Sequence, residues 1–201
     1  MDRSTTSTTI TLADGRTVGV CDFGPEDGTP VLWCHGGPGS RLEADQAAAS
    51  ATEIGLRLIG IDRPGYGLST PLPGRTIADW VADGLAVADA LGIERFLTAG
   101  MSTGGAYAVA LAALAPERVT GVVVGCGMTD MRHPQSRADM PGPSTHGIWD
   151  APDRATAISI AIDTFGEDGS KMMAGVADLP AADLATLTDP EYLAGAETRH
   201  A

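Results

Sequence analysis

The segment Phe96-Leu97-Thr98-Ala99-Gly100-Met101-Ser102-Thr103-Gly104 constrains this chain more than any other. An apolar, strand-like run leads into G-x-S-x-G, and the helix-like run Gly105-Ala106-Tyr107-Ala108-Val109-Ala110-Leu111 follows at once. A serine forced onto so sharp a strand-to-helix turn has an exposed hydroxyl, and nearby backbone N–H groups are left over to bind an oxyanion. Ser102 is therefore the candidate nucleophile. Gly100 and Gly104 let strand and helix approach closely, because a side chain at either position would crowd the turn. The five-residue motif alone fits an ordinary tight turn equally well; the flanking strand and helix give it weight.

A second glycine cluster points the same way. Pro30-Val31-Leu32-Trp33-Cys34 reads as a short buried strand and runs straight into His35-Gly36-Gly37-Pro38-Gly39-Ser40. Bare backbone after a strand can turn N–H groups into a site, as acyl transfer requires of an oxyanion hole. The expected donors are Gly37 N–H and Thr103 N–H. Either cluster by itself fits an ordinary tight turn as well as it fits a site; the two together, in this order, weigh against the turn reading.

The rest of the first two-thirds alternates strands with helices. Thr8 to Leu12 and Thr17 to Asp22 form a hairpin about Asp14-Gly15, and further strands are expected at Val31 to Cys34, Leu56 to Ile61, Phe96 to Gly100 and Val119 to Gly125. Helical patterns lie near Leu42 to Glu53, Ile77 to Leu91 and Gly105 to Leu114. This order predicts an α/β fold: a mostly parallel sheet, opened by an antiparallel hairpin and covered by helices on both faces. Ligands of such sheets bind at the carboxyl ends of strands, where both glycine motifs fall.

With these motifs in place, the chain resembles the α/β-hydrolase superfamily, and within it the branch with an H-G-G-P-G loop that includes proline iminopeptidase-like and esterase-like enzymes. Asp62-Arg63-Pro64-Gly65-Tyr66-Gly67-Leu68-Ser69 matches the D-x-x-G-x-G-x-S turn of that family. The resemblance covers Thr8 to about Asp130. It departs from the commonest pattern at Met101, where many members have His, and at Thr103, where Met, Trp or Gln is usual. Neither change removes a backbone donor, so the fold implied is unaffected and the substrate is less defined.

The resemblance also implies a triad ordered serine, acid, histidine, with the last two after later strands. No later strand pair is legible. From Pro134 onward the chain shows Ala-rich helical stretches, Arg154 to Phe165 and Ala181 to Leu187, broken by Pro and Gly. They resemble the helical cap that relatives insert after the sixth strand. The expected organisation is a hydrolase core over 1–133 and a partial cap over 134–201, with the C-terminal strands of the core missing. Of four histidines, His35 is read as holding its loop, and His133, His146 and His200 as solvated, His146 being the best of the three as a base. Asp130, just after the sixth strand, is the candidate acid; its alternative role is to cap a loop.

Composition bounds the partners. A net charge of −13 with Lys171 as the only lysine argues against nucleic acid and anionic membranes. Three cysteines in or beside apolar runs suit buried free thiols in a reducing compartment, no metal-ligand spacing is present, and no apolar run has signal-peptide or membrane-span length. The chain is expected to be cytoplasmic, free of cofactor and metal, and prone to self-association through the apolar edge strand Val119 to Gly125. The expected activity is hydrolysis of a small-molecule ester or amide through an acyl-serine intermediate. Two alternatives stay open: an iminopeptidase-like aminopeptidase, whose amine-binding acid would come from Glu167, Asp168, Glu191 or Glu197, and a catalytically silent, truncated binding module.

Overall fold

The computed structural model describes residues 6–37, 39–128, 130, 133–138, 147–167, 181, 185, 189 and 190. Two compact units divide after Met128. The first holds six strands: β1 (Thr6–Thr11), β2 (Thr17–Phe23), β3 (Thr29–Cys34), β4 (Leu56–Ile61), β5 (Phe96–Met101) and β6 (Val119–Gly125). Its helices are α1 (Asp45–Glu53), preceded by a 3-10 turn over Arg41–Ala44, α2 (Ile77–Ala90) and α3 (Gly104–Leu114). In the second unit α4 (Pro134–Ala138) and α5 (Arg154–Phe165) are formed. The expected helix over Ala181 to Leu187 lies mostly outside the described residues.

The strands lie in the order β1-β2-β4-β3-β5-β6. β2 is antiparallel to both β1 and β4, whereas β3, β4, β5 and β6 run parallel. Chain order reverses at β3: the connection after it leads to β4 on one side, and β5 lies on the other. Loops leaving the carboxyl ends of β3 and β5 therefore diverge and open a crevice between them.

Pleating explains how one strand serves two layers. Leu32 and Cys34 of β3 join Ile59, Ile61 and Phe96 beneath α2 and α3, which contribute Trp80, Val87, Ala108 and Leu111. Val31 points to the opposite face, with Phe23 and Leu58, against Ala44, Ala48 and Ala51. Each such large side chain contributes roughly 1.5–3 kcal/mol on full burial. α2 begins on a capping box in which the Thr76 hydroxyl accepts the Asp79 N–H and the Asp79 carboxylate accepts the Thr76 N–H. Its Trp80, Val81, Gly84, Val87 and Ala88 form the buried stripe.

β6 borders the sheet among the described residues. Val122, Val123 and Val124 are 44%, 67% and 43% exposed, so both faces of this strand meet solvent. Cys126 follows it directly and is exposed. That corrects the expectation of three buried thiols. Cys21 and Cys34 are buried because they sit inside the sheet, on β2 and β3, while Cys126 has passed the end of a strand with an open side.

Candidate active site

The elbow forms as its sequence requires. Ser102 has φ +50°, a left-handed backbone that costs a non-glycine residue about 1–2 kcal/mol. Three backbone hydrogen bonds hold it there. Its N–H donates to Gly125 O at 2.9 Å, and its carbonyl accepts from Gly105 N–H (3.1 Å) and Met128 N–H (3.2 Å). A β-carbon on Gly100 would overlap the Gly104 carbonyl, and one on Gly104 would overlap the Cys34 carbonyl. Only glycine at both positions lets α3 start directly on the end of β3.

That approach brings the two glycine loops together. A β-carbon on Gly36 would lie 3.6 Å from Ser102 Cβ, and one on Gly37 would lie 3.1 Å from Thr103 Oγ1. Gly36 N–H is spent on the Glu43 carboxylate, at 2.9 and 3.1 Å to its two oxygens. Glu43 is fixed in turn by Trp33 Nε1–H at 3.0 Å. Neither Gly37 N–H nor Thr103 N–H has an acceptor among the described residues. Thr103 Oγ1 is buried and has no partner among the described residues, and the residue does not cap α3 with its side chain.

His35 is fully buried and serves the loop. Its Nε2 accepts the Arg63 N–H at 3.2 Å, which places the ring proton on Nδ1, 2.8 Å from the Gly36 carbonyl. Burial, reinforced by the nearby Arg63 charge, pulls its pKa down to about 3. The ring is therefore neutral at ordinary pH, with both nitrogens engaged. The edge of the ring meets Tyr66, with centroids 5.0 Å apart.

The D-x-x-G-x-G-x-S turn ties this loop to the sheet. Buried Asp62 accepts Arg41 N–H (2.6 Å), Arg41 Nη1 (3.0 Å) and Leu68 N–H (2.9 Å). The Ser69 hydroxyl donates to Asp62 O (2.9 Å) and accepts Gly19 N–H (3.0 Å). Arg63, 2% exposed, donates through Nη1 to the His35 carbonyl and through Nη2 to the Gly36 carbonyl at 2.8 Å. Its guanidinium lies over Tyr66 and Tyr107, at 4.8 and 4.9 Å from the ring centroids. Sequence reasoning missed Arg63 and Glu43. Arg63 stood inside a quoted motif; Glu43 has no local signal, since only the fold carries the 3-10 turn back under the loop.

Other candidate residues lie in the second unit or beyond description. Asp130 is exposed, and its carbonyl accepts the His133 N–H at 3.0 Å. His133 and Glu167 are exposed. His146, Asp168, Glu191 and His200, with Glu197, fall outside the described residues. Among the described residues no group of three or more His, Cys, Asp or Glu could hold a metal ion, and no helix is long and apolar enough to cross a membrane.

The family model for the alpha/beta hydrolase fold matches residues 29–157. The chain is 36% identical over 118 residues to a non-heme chloroperoxidase of Streptomyces lividans, covering 58% of this chain and 43% of that protein. To a proline iminopeptidase of Neisseria meningitidis it is 36% identical over 106 residues, 51% of this chain and 34% of the relative. The chain thus spans less than half the length of these curated relatives. A crystal structure of a hydrolase from Pseudomonas aeruginosa superposes with a TM-score of 0.64 at 20% identity, over 94% of this chain and 64% of that one, a likeness of fold. The matched region contains the β3 loop, the Asp62 turn and the serine elbow, and on that footing the chain belongs to the alpha/beta hydrolase fold family.

Proposed function

We propose that this chain carries the nucleophile and oxyanion hole of a serine hydrolase acting on a small-molecule ester or amide. One observation carries the reading: a strained Ser102 on an elbow packed against the Gly36–Gly37 loop, with the Gly37 and Thr103 N–H groups left without an acceptor among the described residues. In the reaction Ser102 Oγ attacks the substrate carbonyl carbon and loses its proton to a base. The carbonyl oxygen becomes an oxyanion held by the two N–H groups. Collapse expels the alcohol or amine, which takes up the proton, and water then cleaves the acyl-serine.

The base is a histidine other than His35, whose two nitrogens are engaged in the loop. Asp130 is the proposed acid for such a base. The support is positional: the chain leaves β6 at Gly125, whose carbonyl holds the Ser102 N–H, and Asp130 follows shortly after. The relatives' names span a chloroperoxidase and an iminopeptidase, so the elbow and loop are compatible with more than one substrate. A cytoplasmic setting is proposed from the odd cysteine count and the buried free thiols of Cys21 and Cys34.

A second reading is favoured by the engagement of His35: without a base from elsewhere, the first unit binds an acyl ligand and turns nothing over. Intact-mass labelling with a fluorophosphonate separates the two. Stoichiometric labelling of the wild-type chain, absent in Ser102→Ala, is the expected result. A folded wild-type chain that stays unlabelled refutes the active-hydrolase reading.

A further inference from the structure

A buried guanidinium with no carboxylate partner among the described residues sits behind the candidate oxyanion loop. Buried charges are ordinarily paired, so what compensates this one indicates its role. Arg63 is compensated by two consecutive backbone carbonyls, His35 O and Gly36 O, and by the faces of Tyr66 and Tyr107.

Those carbonyls belong to the two peptide planes that define the loop. In a trans peptide the C=O and the following N–H point in opposite directions. Holding His35 O on Arg63 turns Gly36 N–H the other way, where Glu43 accepts it. Holding Gly36 O on Arg63 turns Gly37 N–H away from the guanidinium. A peptide between two glycines has little steric reason to keep one orientation, because neither residue has a side chain to clash when the plane flips. Within this stretch, Gly37 N–H is the amide left for a ligand.

We infer that Arg63 is a positioning residue that locks the Gly36–Gly37 peptide, so that Gly37 N–H faces the acyl carbonyl before substrate arrives. The His35 imidazole assists through its Nδ1–H to the same Gly36 carbonyl, and Arg63 N–H orients that ring through Nε2. The lock rests on the serine-hydrolase reading for its chemistry, but on geometry alone for its existence. Arginine suits the task because its planar fork reaches both carbonyls at once, which a lysine ammonium cannot do in the same geometry.

Two measurements on the full chain test it. A crystal structure of Arg63→Met is expected to show the Gly36–Gly37 peptide flipped or in two orientations; a single unflipped peptide overturns the lock, whether or not Ser102 reacts. Fluorophosphonate inactivation, resolved into binding and reaction steps, is expected to show kinact about 100-fold lower in Arg63→Met, the order of loss for one oxyanion donor, with KI within about twofold of wild type. General structural damage would weaken both steps together. If Arg63→Met does not fold, Arg63→Lys keeps charge and stem, and a kinact at least about tenfold below wild type is expected. A folded Arg63 variant with wild-type kinact overturns the inference. A wild-type chain that never labels refutes the hydrolase reading and leaves the lock to be decided by the peptide's orientation.

Discussion

Gly104 opens α3 directly against the carbonyl of Cys34, with no room for a single added carbon. The contact is between two backbones, so nothing flexible can yield. Gly104→Ala is therefore expected to destabilise the fold by about 3 kcal/mol or more, beyond the usual cost of overpacking. Gly15→Ala is the control: Gly15 has a positive φ but open space around it, so only the backbone penalty of about 1–2 kcal/mol applies. Urea denaturation of both variants checks the ranking.

His35 makes stability depend on pH. Its folded pKa of about 3 lies below the ordinary 6.5, so between these values the unfolded chain binds a proton that the folded chain refuses. This contribution is complete above about pH 6.5 and is lost as pH falls towards 3, by roughly 1.4 kcal/mol per unit within the window. His35→Gln should show a correspondingly shallower loss between pH 6.5 and 4. Equal slopes in the two proteins would contradict the burial of a neutral ring.

Thr103 carries a buried hydroxyl with no partner among the described residues. Replacing it with the isosteric valine removes an unpaid desolvation cost, so Thr103→Val is expected to raise stability by about 1 kcal/mol or more. Thermal melts of the two proteins decide this. A destabilised valine variant would mean that the hydroxyl finds a partner in solution.

The cysteines should separate by reactivity. Burial pushes the Cys34 thiol up to about 12 and the Cys21 thiol up to about 11. Cys126 is exposed. Iodoacetamide at pH 8 is expected to modify Cys126 alone in the native chain and all three residues in denaturant, as read by peptide mass.

The exposed valines of β6 form an apolar, uncharged sheet border, a template for pairing with another chain. Concentration-dependent association is expected in sedimentation velocity. Val123→Lys, which places a charge on the most exposed of the three, should suppress it. A compact wild-type monomer at all concentrations would refute the expectation.

Much of this was legible beforehand, for local reasons. The six strands and the helices between them follow from short apolar runs, a helix period and glycine punctuation, which is why β4 and β6 fall where the residues place them. Met101 ends β5 one residue later than expected because it still pairs with Gly125 before the chain turns at Ser102. Arg63 and Glu43 were not legible as parts of the site, because their partners are backbone atoms brought near only by tertiary structure. A carbonyl or an amide leaves no trace in the sequence. Cys126 was misread because an apolar run looks the same whether a further strand covers it or not.

The strand order also sets when the site can exist during synthesis. Leu32 of β3 pairs with Ile59 on one side and with Thr98 on the other. As the chain leaves the ribosome, the central strand therefore waits with one side open until β5 appears, long after its own loop has been made. Such non-local pairing folds slowly and exposes apolar strand surface in the interval. The glycine loop and the serine elbow mature together and late, so a nascent chain halted before Phe96 would carry the arginine clamp's target but none of the nucleophile it serves.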